Sequence, residues 1–334
     1  MKKIRPYILT ATALLIGAGI YIDKHPGREL EKPDPPDKAD LKNYGPAPDF
    51  AGISKWLNSE PLTMPGLRGK VVLVDFWTYS CINCIRTLPY VTHWYDRYKD
   101  QGLVVVGVHT PEFAFEKNTE NVARAIKQFH IHYPVAQDND YATWNNYGNR
   151  YWPAEYLIDK NGNVVYPHFG EGHYDQTENA IRALLGLDEK KMTGSGEDLS
   201  GVQSPEMYFG TARLQNLAPE QRATAAAKNY VFPKNLDLNS FALEGTWQFT
   251  EQSARLTAGE GKMRLKFHAG KVHIVAASPL EGKLQIIVDG QSRADIVVKD
   301  SALYTLFDSE DYADHVIEII INNPGFEAFT FTFG

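Results

Sequence analysis

The sequence predicts an α/β domain over residues 45–188 followed by an all-β sandwich over residues 206–334. Three observations carry this. The chain has 334 residues, more than a single hydrophobic core usually supports. In the first part, strand-like and helix-like segments alternate. "KVVLVDFW" and "GLVVVGVHT" are continuous apolar runs of the kind buried on both faces of a parallel sheet. Between them, Ile82, Ile85, Leu88, Val91, Trp94, Tyr95 and Tyr98 recur at helical spacing. In the second part the texture changes. "GTWQF", "MRLKFHAGKVHIVAAS", "LQIIVDG", "YTLF", "HVIEIIINN" and "FEAFTFTFG" are short strands between turn residues, with no helical run among them.

Taken in order, the chain opens on "MKKIR", an uncharged run over residues 6–22, and a polar proline-rich stretch. That layout predicts a membrane anchor or signal segment over residues 1–23. The run sits at the lower limit of about 17 residues for spanning a bilayer. With no small-x-small site after it, an uncleaved anchor is favoured over a cleaved signal. Lys2, Lys3 and Arg5 would stay in the cytoplasm and the remainder outside it. Residues 24–44, containing "KPDPPDK", form a stiff linker.

Within 45–188, "TENVARAIKQFHI" predicts a helix with Val122, Ala125, Ile126 and Phe129 on one face. "YPVAQD" predicts a short strand and "YATWNNYG" a short helix. "AEYLIDKNGNVVYPHFG" predicts a hairpin turning at Lys160-Asn161-Gly162, and "TENAIRALLGL" a closing helix. Residues 189–205 predict a second linker. "LAPEQRATAAAKNYVFP" is expected to be partly helical, and Trp247 to be core.

Composition narrows the function classes. Apolar content of 43% and charged content of 22% are those of an ordinary globular protein. A net charge of -7 leaves no footprint for nucleic acid, and nothing implies a cofactor. Two cysteines are too few for a disulfide scaffold. Both lie in "DFWTYSCINCIRTLPY". Cys81 follows a buried strand and opens a helix, where free N–H groups and the helix dipole favour a thiolate. Cys84 lies one turn on, on the same side. Cys81 then reads as the attacking sulfur and Cys84 as the resolving one. A structural disulfide closing so short a loop would remove little unfolded-state entropy. A zinc site needs four ligands, and no second CxxC or CxxH pair exists. A copper-type site recruiting His109 is not required by the spacing.

"VVLVDFWTYSCINCIRTLPYV" resembles the thioredoxin superfamily. The resemblance implies that Asp75 is a buried acid that helps move the proton of the second cysteine. It places Trp77 in the family's "FW" element and Pro89 as the helix-kinking proline. In "NRYWPAEYLID" it implies that Pro153 is the cis-proline beside the cysteines. The spacing from Cys84 to Pro153 is that of the TlpA/ResA branch. "GVHTPEFAFEKNTENV", "NRYWPAEYLIDKNGNVVYPHFGEG" and "PGFEAFTFTFG" are similar to the extracytoplasmic part of DipZ-type proteins. That likeness spans roughly residues 45–334 and implies a thioredoxin-like domain followed by a carbohydrate-binding-module-like sandwich. It also implies an extracytoplasmic, membrane-tethered reductant of protein disulfides, of the kind used in cytochrome c biogenesis. Its substrates would be oxidised extracytoplasmic proteins.

Two positions depart from the branch. Ser80 stands where a tryptophan is usual, and Thr87 where many relatives carry an acid. One apolar segment replaces the multi-helix domain of DipZ proteins, so electrons would come from a separate membrane donor of the CcdA/DsbD type. Glu112, in "GVHTPEF" with His109, reads either as a substitute proton acceptor or as a solvated loop carboxylate. Arg86 reads as an exposed helix arginine. Of Tyr79, Tyr151 and Trp152, only Trp152 is favoured as a docking rim. His168 is assigned no role. A rival class stays open: a glycan- or protein-binding envelope module, with the α/β domain as scaffold.

Overall fold

The computed structural model describes residues 41–188 and 196–334. The first part builds a six-stranded sheet in the order β1-β4-β3-β2-β5-β6. Its elements in chain order are β1 (Lys55–Leu57), β2 (Val71–Trp77), α1 (Ile82–Tyr98), β3 (Leu103–His109), α2 (Thr119–Gln128), β4 (Val135–Gln137), α3 (Ala142–Asn146), β5 (Ala154–Ile158), β6 (Val164–Phe169) and α4 (Tyr174–Leu185). β2 pairs in parallel with β3, and β3 with β4; β5, β6 and β1 run antiparallel to their neighbours. Every residue of β2 is buried, because both faces are covered. Val71, Leu73 and Trp77 face α1, α2 and α4. Val72, Val74 and Phe76 face α3 and the segment around Met64. This two-sided covering is why the strand reads as an unbroken apolar run. The hairpin turns as expected: the Asp159 side chain accepts from the Asn163 N–H at 2.8 Å, and the Gly162 N–H reaches the Asp159 carbonyl at 2.8 Å.

The second part is a large antiparallel β domain: β7 (Met207–Tyr208), β8 (Lys228–Tyr230), β9 (Ser240–Phe249), β10 (Ala254–Ala277), β11 (Gly282–Val288), β12 (Gln291–Ser292), β13 (Ile296–Val298), β14 (Ala302–Ile321) and β15 (Glu327–Phe333). Residues expected to separate short strands lie inside two long ones: Gly259 and Gly261 inside β10, and the polar stretch 308–314 inside β14. At Gly270 a bulge shifts the pairing with β14. It also restores the inward phase: Met263, Leu265, Phe267 and Ala269 point to the core, and so do Val272, Ile274 and Ala276. A Cβ at Gly270 would sit 2.9 Å from the Ser309 carbonyl oxygen, so the close strand approach needs glycine here. One core gathers these residues with Trp247, Ile317, Ile319 and Phe331.

The segment expected to be partly helical, residues 217–233, contains no helix. It covers an edge of β9 instead. The Ala218 N–H donates to the Phe241 carbonyl, and the Gln221 side chain bonds the N–H and carbonyl of Leu243. Tertiary pairing with an open strand edge outweighs the local helix preference of its alanines.

Both described parts belong to one compact unit. They meet through Phe113 and Phe115 on one side and Phe329, Val275 and Tyr208 on the other. Glu112 crosses the boundary. Its Oε1 accepts from Arg213 at 2.6 Å and from the Tyr208 hydroxyl at 2.8 Å, while Arg213 lies over the Tyr208 ring. Arg213→Met would leave a carboxylate that is 9% exposed without its cation. Breaking one partner of a buried pair costs about 3–5 kcal/mol; Arg213 is itself about a third exposed, which reduces the expected loss to about 2 kcal/mol. Urea unfolding should show this loss and its partial recovery in the Arg213→Met/Glu112→Gln double variant. A single variant as stable as the parent would refute the assignment.

Candidate redox site

Cys81 is the N-cap of α1, with extended backbone angles (φ -79°, ψ 118°), and its carbonyl accepts the first helical bond, from Ile85. Strand β2 ends at Trp77, and the turn over residues 78–80 delivers the chain to the helix start. Cys81 is partly exposed and Cys84 is 1% exposed; both are free thiols. The Cys81 thiol donates to the Trp152 carbonyl at 3.9 Å. Trp152 precedes Pro153, and the bond between them is cis. The loop before β5 therefore lies against the exposed sulfur, as the cis-proline reading anticipated.

Cys84 is held as a thiol. Burial pushes it well above the ordinary range, and the adjacent Cys81 sulfur and the Asp75 charge add to the shift. Asp75 lies on β2 on the same sheet face as Cys84, 1% exposed, with no hydrogen-bond partner for either oxygen. Burial pushes its carboxyl up to about 7. Trp77 is fully buried beneath the site, edge-on to His109 at 5.1 Å. A Cβ at Gly107 would come within 2.9 Å of both Trp77 and Tyr133, so glycine is what lets these two rings pack under the cysteine helix. His109 is buried and neutral, pushed down to about 3 by desolvation.

Other expected residues fall differently. Glu112 is neither a solvated loop carboxylate nor held toward the cysteines; it is tied to Arg213 and Tyr208. The acid beside the CxxC turn is Glu116, 0% exposed. Its Oε1 accepts from the Ser80 hydroxyl at 2.6 Å, and its Oε2 accepts from the Glu112 and Phe113 N–H groups. Burial pushes Glu116 up to about 7. Ser80, in place of tryptophan, thus gives the turn a polar anchor. Thr87, in place of an acid, bonds the Asn83 carbonyl and Tyr174. Arg86 is not exposed: it forks onto Glu171 with two bonds of 2.7 Å and reaches Asn83 at 2.9 Å. Tyr79 is buried and stacked on His109. Trp152 is half-buried, its indole N–H on the Thr110 carbonyl. The exposed aromatic pair near the cis bond is Tyr151 with Phe169, 48% and 47% exposed, with rings 5.3 Å apart. In sequence, Glu116 and Phe169 lie far from the cysteines, and no local pattern marks either.

Residues 43–185 match the Redoxin family and residues 204–334 the family described as thioredoxin-like C-terminal domain. The chain is 30% identical over 149 residues to the thiol-disulfide oxidoreductase YkuV of Bacillus subtilis, covering 45% of this chain and all of that one. The chain belongs to the thioredoxin-like thiol–disulfide oxidoreductase family. It is also 41% identical over 308 residues to Protein DipZ of Mycobacterium bovis, covering 89% of this chain and 44% of that protein, so it spans less than half the length of that relative. A crystal structure of a thioredoxin-family thiol:disulfide interchange protein from Chlorobium tepidum aligns at 25% identity with TM-score 0.37, over 42% of this chain and 96% of that one. Among the described residues no cluster of three or more His, Cys, Asp or Glu is arranged to hold a metal, and no helix is long and apolar enough to cross a membrane. The apolar run over residues 6–22 lies outside the described residues.

Proposed function

We propose that the chain is an extracytoplasmic thiol–disulfide oxidoreductase that reduces protein disulfides, with Cys81 as nucleophile and Cys84 as resolving thiol. The observation that carries this reading is a partly exposed cysteine at a helix N-terminus, one turn from a buried thiol that shares its sheet face with an unpartnered carboxyl. The exposed sulfur attacks a substrate disulfide; the buried one then displaces the reduced substrate. Two features support the reducing direction. Ile82 and Asn83 between the cysteines are neutral, and the Arg86 charge is engaged by Glu171. A strong oxidant needs an extra-stabilised thiolate, usually from a nearby free cation. The basic flank and apolar run at the N-terminus support a single membrane tether, and electrons would then come from a separate membrane donor of the CcdA/DsbD type.

The test is acid quenching of intact cells, alkylation of free thiols and mass measurement, with external protease on spheroplasts as a second arm. Two alkylated cysteines on a protease-accessible chain are expected. A pair found mostly oxidised, equilibrating with glutathione at a potential near -120 mV, would make it an oxidant. Protection from protease would refute the extracytoplasmic placement.

A further inference from the structure

Asp75 has no direct outlet for a proton. Its carboxyl is buried and neither oxygen has a partner. When the Cys84 sulfur attacks, its proton must leave, and Asp75 can accept one for the next turnover only if it passes the last one on. The sheet places candidates beside it. β2 and β5 pair Asp75 directly with Glu155, and β5 and β6 pair Glu155 directly with His168. Directly opposed residues on antiparallel strands project from the same face, with Cβ atoms about 5 Å apart. Three ionisable side chains therefore form one row, from the strand that carries Asp75 to the edge strand of the sheet.

We propose that this row is a proton path: Asp75 takes the proton of Cys84, Glu155 takes it from Asp75, and His168 passes it to solvent. The proposal rests on the oxidoreductase reading above. In the step it serves, a bond forms between the sulfurs of Cys84 and Cys81, and the bond from Cys81 to the substrate sulfur breaks. The substrate leaves as a thiolate with the electron pair and takes a proton from water. The Cys84 proton moves to the Asp75 carboxylate, then to Glu155, then to the His168 imidazole and out.

Bonding along the row fits transport better than structure. A core carboxyl kept for structure normally has its oxygens satisfied. Glu155 is 1% exposed, its Oε2 accepts from Thr177 at 3.2 Å, and its Oε1 has no partner. Three of the four oxygens of the Asp75–Glu155 pair are thus free to exchange a proton. His168 is partly buried with Nε2 unpartnered, and its ring lies 5.7 Å from that of exposed His173. Burial, then the Asp75 charge, pushes Glu155 up to about 8, close to Asp75 at about 7, so transfer between them is nearly balanced. Burial, then His173, pushes His168 down, so it releases a proton readily. The other groups facing the row are Tyr133, whose phenol burial and the Asp75, Glu155 and Cys84 charges push up, Thr177 of α4, and Tyr166 of β6, which bonds Thr177 and feels Asp175. On the far side of Asp75 the row ends at Gly107.

The experiment is stopped-flow reaction of the reduced full chain with dithiobis(nitrobenzoate) between pH 5 and 9. The first thionitrobenzoate released reports attack by Cys81, and the second reports resolution by Cys84. In the parent, the second phase should follow two ionisations near neutrality. Glu155→Gln should leave one, and slow that phase about tenfold at pH 7, a share of the roughly 10²–10⁴ that positioned proton transfer contributes. The first phase should not change. His168→Ala, on the edge strand, should slow the second phase, and added imidazole should restore it; this variant carries the test alone if Glu155→Gln does not fold. A parent without two phases would count against the oxidoreductase reading itself. A two-phase parent with both variants unchanged in second-phase rate and pH profile would overturn the proton path only.

Discussion

Cys84→Ser is expected to accumulate a disulfide between Cys81 and its substrate, and Cys81→Ser to lose thiol exchange altogether. The asymmetry follows from position. Cys81 has the partly exposed sulfur, at the start of α1. Cys84 is 1% exposed and its thiol is pushed up, so it cannot begin an attack on a protein disulfide in solvent. Its reach is limited to the neighbouring sulfur. Without it, the first intermediate has no internal exit. Non-reducing gels of cell extracts should show the Cys84→Ser chain shifted by covalently held partners, which collapse with dithiothreitol. The Cys81→Ser chain should run as a monomer. Equal trapping by both variants would mean that either sulfur can attack, and the division of labour would be wrong.

Much of this site is legible from the chain because it is local. A strand, a turn and a helix within about 25 residues bring Asp75, Trp77, Cys81 and Cys84 together, and strand and helix periods fix their faces. What is hidden depends on pairings between distant segments. Glu112 reads as a loop carboxylate because its partners, Tyr208 and Arg213, lie roughly a hundred residues on in a different domain. Glu155 sits in an ordinary strand pattern, and only the register of β5 between β2 and β6 sets it between Asp75 and His168. Glu116 is similar: its three-residue spacing from Phe113 is local, but its bond to Ser80 crosses from one loop to another. In the β domain, residues 308–314 separate two expected strands, yet β14 runs through them. Gly270 bends β10 without ending it, and nothing within a short window separates a bulge from a turn.

Asp75→Asn should make the protein more stable above neutral pH and less able to resolve a mixed disulfide. Asp75 titrates near 3.8 in the unfolded chain and about 7 when folded, because burial disfavours its charge. The folded state therefore binds this proton more tightly. Stability is undiminished below about pH 4, falls as pH rises through the interval to about 7, and stays reduced above it. At about 1.36 kcal/mol per pK unit the full loss is on the order of 4 kcal/mol. Asparagine keeps the shape and carries no charge, so at pH 8 the variant should unfold later in urea by about 2–4 kcal/mol, and at pH 4 it should match the parent. A residual slope should persist from Glu116 and Glu155, which burial raises in the same sense. The Glu155 part should shrink, because the Asp75 charge that adds to its shift is gone. The same change removes the group placed to take the Cys84 proton, so the resolving phase should slow about 10²-fold while attack by Cys81 is kept. The two effects must appear together. A variant stabilised at pH 8 that still resolves at the parent's rate would show that Asp75 is a buried charge without a part in proton transfer.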